Sequence, residues 1–233
     1  MIFKNLVDYL MPPRCMDCHE ITDEEFLLCA HCWKDYVFIN EPLCKICGLP
    51  FEIQIDSLCL GCLHKKPPFS IARSIFKYNE KSKKLIHNFK YHDKTYLSKF
   101  FAKMLLSKYK DIIVEADLIT CVPMHRLKRI FRMYNQSHLI AKDLSINSNK
   151  PFIPDILSKV KYSKSQTFFS RNARKTNLKN TILCTFPEQV LGKKILLIDD
   201  VITTGETIKL CARELKKAGA KEIFILSIAK NYR

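Results

Sequence analysis

The chain is 233 residues long, 47% hydrophobic and carries a formal net charge of +16. That length holds one ordinary domain with a small appendage, and that hydrophobic content excludes a disordered chain. No apolar run of roughly eighteen residues and no signal-peptide core appear, so neither a spanning helix nor export is expected.

Residues 1–14 read as a short amphipathic lead-in, with Ile2, Phe3, Leu6, Val7 and Leu10 at helical spacing before Pro12 and Pro13. Four CxxC pairs follow: Cys15/Cys18, Cys29/Cys32, Cys44/Cys47 and Cys59/Cys62, each ten or eleven residues from the next. They take eight of the eleven cysteines and leave Cys121, Cys184 and Cys211 scattered, a metal signature in a reducing compartment. Two thiolates spaced in this way reach one tetrahedral Zn²⁺, and two such knuckles complete a Cys₄ site. Two structural zinc ions are therefore expected, the first on Cys15, Cys18, Cys29 and Cys32, the second on Cys44, Cys47, Cys59 and Cys62. Sequential pairing suits the short intervals, with cross-bracing as its alternative. Redox use, iron–sulfur ligation and metal-free cysteines are the other readings, and four evenly spaced pairs give redox chemistry no rationale. Gly48 and Gly61 stand at the third and fourth knuckles, where a tight turn calls for positive φ.

His64–Pro68 (HKKPP) reads as a linker, which divides the chain into a zinc module at 1–68 and a second domain at 69–233. Beyond it a strand is predicted over Ser70–Tyr78, helices over Glu80–Lys90 and Thr95–Tyr109, and a strand over Asp117–Val122. A basic loop, a helix near Asn135–Leu144 and a long mobile loop over 160–180 come next. The apolar strand Lys194–Ile198, a helix over Glu206–Ala218 ending at Gly219, and a strand over Glu222–Ala229 complete the chain. Alternating strands and helices imply a mostly parallel sheet flanked by helices, an α/β domain behind a small Cys-rich zinc-ribbon domain.

The strand at Lys194–Ile198 runs into Asp199 and Asp200, and then into Thr203, Thr204, Gly205, Glu206 and Thr207, which open a helix. Carboxylates at the ligand edge of a parallel sheet accept hydrogen bonds from ribose hydroxyls. Backbone N–H groups and hydroxyls at a helix start cradle a phosphate, so the segment describes a ribose-5-phosphate site. An ordinary capped turn is the plain alternative.

Charge is uneven: residues 1–68 hold 6 basic and 10 acidic side chains, residues 69–233 hold 33 and 13. A solvated Lys-rich surface is the plain reading, and a polyanion partner the functional one. Arg126, Lys128, Arg129, Arg132 and Tyr134 follow a strand end, and Lys164, Arg171 and Lys175 lie among Tyr162, Phe168 and Phe169. Cations interleaved with rings suit single-stranded nucleic acid, so these eight cationic and aromatic positions, Arg126 to Tyr134 with Lys164, Arg171 and Lys175, are the DNA-binding candidates.

LLIDDVITTGET resembles the phosphoribosyl-pyrophosphate (PRPP) motif of type I phosphoribosyltransferases. With the four knuckles, Phe89-Lys90-Tyr91-His92, Val122-Pro123, Arg132-Met133-Tyr134-Asn135-Gln136 and Gln166…Arg174…Asn177, essentially the whole chain resembles the ComF family of bacterial competence proteins. The family usually carries Gly where Met133 stands. The resemblance implies a type I phosphoribosyltransferase-like fold binding PRPP with Mg²⁺ through Asp199, Asp200, Thr203, Thr204, Gly205 and Thr207. It places Arg126, Arg129, Arg132, Gln166 and Arg174 at the pyrophosphate and flexible loops. It also implies single-stranded DNA handling during uptake beside the competence helicase, in the cytoplasm or peripherally at the inner face of the membrane. A phosphoribosyltransferase with an unassigned acceptor is the alternative, and no catalytic residue is assigned.

Overall fold

The computed structural model describes residues 12–91, 94–124, 134–160 and 181–232. The lead-in at 1–11 and the segments 125–133 and 161–180 lie outside them.

Four strands, β1 (Ile71–Lys77), β2 (Leu118–Cys121), β5 (Lys194–Ile202) and β6 (Glu222–Lys230), form a parallel sheet in the order β1-β6-β5-β2. A separate antiparallel pair, β3 (Leu157–Val160) and β4 (Thr181–Cys184), brackets the 161–180 segment through Val160 opposite Thr181. Two short helices, α1 (Ala30–Asp35) and α2 (Leu60–His64), belong to the cysteine region. Then come α3 (Glu80–Tyr91), α4 (Leu97–Lys108), α5 (Lys110–Glu115), α6 (Gln136–Ser148) and α7 (Glu206–Lys217).

Strand alternation splits the core into two layers. Leu196, Ile198, Leu226 and Ile228 face one cluster with Phe89, Phe100, Phe101, Leu105 and Ile140 from α3, α4 and α6. Ile195, Leu197, Ile223 and Ile225 face the other, with Ile208, Cys211, Ala212 and Leu215 of α7. Helices thus cover both faces, as parallel strands require.

The cysteine region joins both layers. Cys15, Leu28, Cys32 and Tyr36 pack into the first cluster, whereas Cys44, Ile46, Cys62 and Phe69 pack into the second. The link between the two ribbons runs along β1, the sheet's edge strand. Ile39 N–H donates to Ile75 O at 2.8 Å, Lys77 N–H to Val37 O at 2.8 Å, and Ala72 N–H to Ile46 O at 2.7 Å. The ribbons therefore straddle the sheet edge, one on each face.

Three features depart from the pattern-based reading. The α4 helix is followed at once by α5, β3 and β4 are strands of four residues each, and β5 continues through the two aspartates to Ile202.

Candidate functional site

The two cysteine clusters are built alike. Within each, all four sulfur ligand atoms lie within 4.8 Å of one another. Cys18 and Cys29 sulfurs are 3.6 Å apart, as are those of Cys47 and Cys59. A zinc–thiolate tetrahedron with bonds near 2.3 Å has edges of about 3.8 Å, so both clusters fit Zn²⁺. The grouping is sequential, Cys15 with Cys18, Cys29 and Cys32, and Cys44 with Cys47, Cys59 and Cys62, and not cross-braced. Backbone donors favour the thiolate form: Cys29 N–H reaches Cys15 Sγ at 3.3 Å, and Cys59 N–H reaches Cys44 Sγ at 3.3 Å. Burial pushes both thiols up, yet such backbone N–H groups hold Cys15 down at about 7 and Cys44 at about 6.

The turn after the second cysteine of each ribbon is left-handed, at His19 (φ 66°) in the first and Gly48 (φ 65°) in the second. Gly48 has a second constraint, because a Cβ there would stand 2.5 Å from Ala72 O on β1. Gly61 does not follow the expectation. It lies inside α2, where no positive φ is used, because the fourth knuckle opens a helix and not a tight turn.

The Asp-Asp segment is assembled by four elements. Asp199, on β5, is buried, and its Oδ1 accepts from Asp200 N–H at 2.9 Å and from Ser137 Oγ at 3.3 Å. Ser137 is placed by the first turn of α6, where Asn135 Oδ1 accepts Ser137 N–H at 3.1 Å. Asn135 Nδ2 in turn donates to Val122 O at 3.1 Å, pinning that helix start to the end of β2. Asp200 Oδ2 pairs with Lys90 Nζ from the last turn of α3 at 2.6 Å, each side chain 18% exposed. Burial, and then the charge of Asp200, raise the Asp199 carboxyl to about 7, against the pull of the Asp200 N–H, Lys90 and Ser137. Asp199 is thus buried within the β5 ladder, opposite Ser227, while Asp200 keeps a partly exposed side chain beside Lys90.

Past Ile202 the chain turns through exposed Thr203 and Thr204 into α7, with Gly205 at φ 75° before the first helical residue. A Cβ on Gly205 would find nothing nearer than 3.9 Å, so the demand there is conformational. Thr204 Oγ1 accepts Glu206 N–H at 3.5 Å. Asp199, Thr203, Thr204, Gly205 and Thr207 line one small cavity at the helix start.

The structure therefore brings the segment 199–207 together with Lys90 and Ser137, neither of which was among the expected site residues. Lys90 carried a signal, its place in the Phe89–His92 basic-aromatic segment, and Ser137 carried none. Tyr134 is half-buried against the first core cluster, its hydroxyl donating to Phe89 O at 2.6 Å. Arg126, Lys128, Arg129, Arg132, Lys164, Gln166, Arg171, Arg174 and Lys175 lie outside the described residues, as does Met133. Among the described residues, no helix is long and apolar enough to cross a membrane.

A double zinc ribbon domain matches residues 6–63, and a phosphoribosyl transferase domain matches residues 137–232. The chain is 28% identical over 209 residues to Competence protein F of Haemophilus influenzae, covering 87% of this chain and 90% of that one. It is 27% identical over 196 residues to the DNA utilization protein YhgH of Escherichia coli, covering 82% and 85%. Against Competence protein ComFC of Bacillus subtilis the identity is 26% over 201 residues, covering 82% and 79%. Among solved structures, a glutamine PRPP amidotransferase from B. subtilis aligns with 56% of this chain at 24% identity and a TM-score of 0.41, and the aligned part is 25% of that chain.

Proposed function

Because the chain belongs to the ComF family, with a double zinc ribbon ahead of its phosphoribosyltransferase domain, we propose that it handles single-stranded DNA during competence and holds PRPP as a ligand. The observation that carries the reading is the juxtaposition of Asp199 and Asp200 with the hydroxyl-rich turn that opens α7. Ribose hydroxyls donate to the two carboxylates, and the 5′-phosphate accepts from backbone N–H groups at Gly205–Thr207 and from the Thr203 and Thr204 hydroxyls. Lys90 stands beside Asp200 and offsets part of the ligand's charge. Asp199 and Asp200 are hard oxygen donors that fit Mg²⁺, which when bound with the ligand neutralises pyrophosphate charge.

DNA affinity belongs, in this reading, to residues 69–233, where 33 basic side chains face 13 acidic ones. The zinc ribbons are structural and carry net negative charge. The protein works in the cytoplasm next to the competence helicase, reaching the inner face of the membrane only through the uptake machinery.

The test is a titration with PRPP and Mg²⁺, with and without single-stranded DNA, on the wild type and on Asp199→Ala with Asp200→Ala. The double variant loses PRPP, each charged hydrogen bond being worth about 1.5–3 kcal/mol. Unchanged affinity would refute the assignment. DNA affinity falls with salt at a log–log slope near −0.7 per phosphate neutralised, and removing Arg126, Arg129 and Arg132 flattens it by up to roughly 2 units. A slope that ignores the three arginines moves the DNA path elsewhere.

A further inference from the structure

A larger cavity of about 450 Å³ lies beside the PRPP pocket, with Thr203, Thr204 and Gly205 lining both. Its apolar lining comes from Phe69, Ala72, Ile202 and Ile208, with Pro67 and Pro68 of the linker. The second ribbon closes it through Cys47, Cys59 and Cys62. Five cations line it, Lys65, Lys66, Lys209, Arg213 and Lys230, against one carboxylate, Glu206.

The charges are not all committed. Glu206 is held by Lys209 at 2.8 Å, and that lysine, with Arg213 and Lys65 further off, keeps its carboxyl below the usual range. Lys230 donates to Cys47 O at 2.6 Å and so ties β6 to the second ribbon. The side chains of Lys65, Lys66 and Arg213 are exposed and form no hydrogen bond or ion pair among the described residues. An apolar interior with three uncommitted cations at its margin recognises a flat ring joined to a phosphate, and the volume falls within the ~300–1,000 Å³ of small-molecule sites.

We propose that this cleft, built jointly by the second zinc ribbon and α7, binds a nucleoside phosphate, with the base against the Phe69–Ile208 lining and the phosphate on Lys65, Lys66 and Arg213. The ligand is either a free mononucleotide or the phosphorylated end of a strand. The site uses neither Asp199 nor Asp200, so it stands apart from the PRPP reading while sharing a loop with it.

Calorimetric titration of the zinc-loaded full chain tests this, with AMP as one probe. The other is a hexathymidylate with and without a 5′-phosphate. AMP binding to the wild type is expected to weaken about tenfold or more in Lys65→Glu with Arg213→Glu, two charged contacts being lost. The same reversal at Lys83 and Lys84, on the exposed side of α3, leaves it unchanged, and Asp199→Asn with Asp200→Asn loses PRPP but keeps AMP. AMP binding with no 5′-phosphate effect on the hexamer assigns the free nucleotide, and a 5′-phosphate effect removed by the Lys65/Arg213 reversal assigns the strand end. Three results overturn the proposal: neither probe binds, the Lys65/Arg213 variant binds like wild type, or the aspartate variant loses AMP. The last would put AMP in the PRPP pocket.

Discussion

The two zinc ribbons are near-copies in local geometry and opposites in placement. Each has the same pair spacing, a left-handed residue after its second cysteine, and a short helix after its third. Yet the first packs on the α3–α4 layer, where Lys81 bonds Asp17 at 2.8 Å and Asp35 at 3.1 Å, and Lys103 bonds Glu24 at 2.7 Å. The second packs on the α7 layer through main-chain groups: Arg73 Nη1 reaches Cys44 O and Lys45 O at 3.3 Å each, and Lys230 reaches Cys47 O. One ribbon is held by ion pairs to helices, the other by bonds to its own backbone beside the Thr203–Gly205 turn. The difference shows that metal spacing specifies the unit, while the residues between the cysteines decide what the unit touches.

Breaking the metal sites should give the largest effect. Cys15→Ser with Cys18→Ser, and Cys44→Ser with Cys47→Ser, should each leave one zinc per chain where the wild type has two clusters, by metal analysis. Each loses on the order of 10 kcal/mol of metal-binding free energy. Only the second pair should also weaken ligands at Thr203–Gly205. Equal losses from both pairs would erase the asymmetry.

The turn residues give the next contrast. Gly48→Ala meets both the left-handed backbone and Ala72 O, and should cost about 2–3 kcal/mol in thermal or urea unfolding. His19→Gly, at the matching turn, should change stability by less than about 1 kcal/mol. Docking contacts come third. Lys81→Ala strands Asp17, whose side chain is 9% exposed, and Arg73→Ala frees two carbonyls, each worth about 1–3 kcal/mol. The Lys81 effect should shrink in high salt and the Arg73 effect should persist, because only the first is charge on charge. Smallest of all, Lys45→Ala removes a pair with Asp56 whose side chains are 56% and 85% exposed, and unfolding should shift by less than about 0.5 kcal/mol.

Local chemistry was readable from the residues alone. The cysteine intervals predict two sequential Cys₄ sites, and the apolar run before Asp199 predicts the central strand. Gly48 is readable as a turn residue, though the contact with Ala72 that makes it obligatory is tertiary. Gly61 misleads because glycine beside a CxxC serves a helix start as readily as a turn. β3 and β4 escape because four residues give periodicity too little length to register. The burial of Asp199 escapes for a different reason: a carboxylate after an apolar run marks a strand end in most sequences, and here the ladder to β6 continues past it. Ser137 and Lys90 come from elements 62 and 110 residues away from the aspartates they touch, a convergence only the fold supplies.

The inter-ribbon segment lies against the outer side of β1, and that has a bearing on how the chain can be divided. Removing everything before the HKKPP linker would bare the hydrogen-bonding groups of a seven-residue strand, together with Phe76, which the Phe38 bridge now covers. A long unpaired edge with an aromatic on it templates pairing with another chain. The Cys-rich half thus acts as a built-in guard against self-assembly, one that metal loss would withdraw from both faces together.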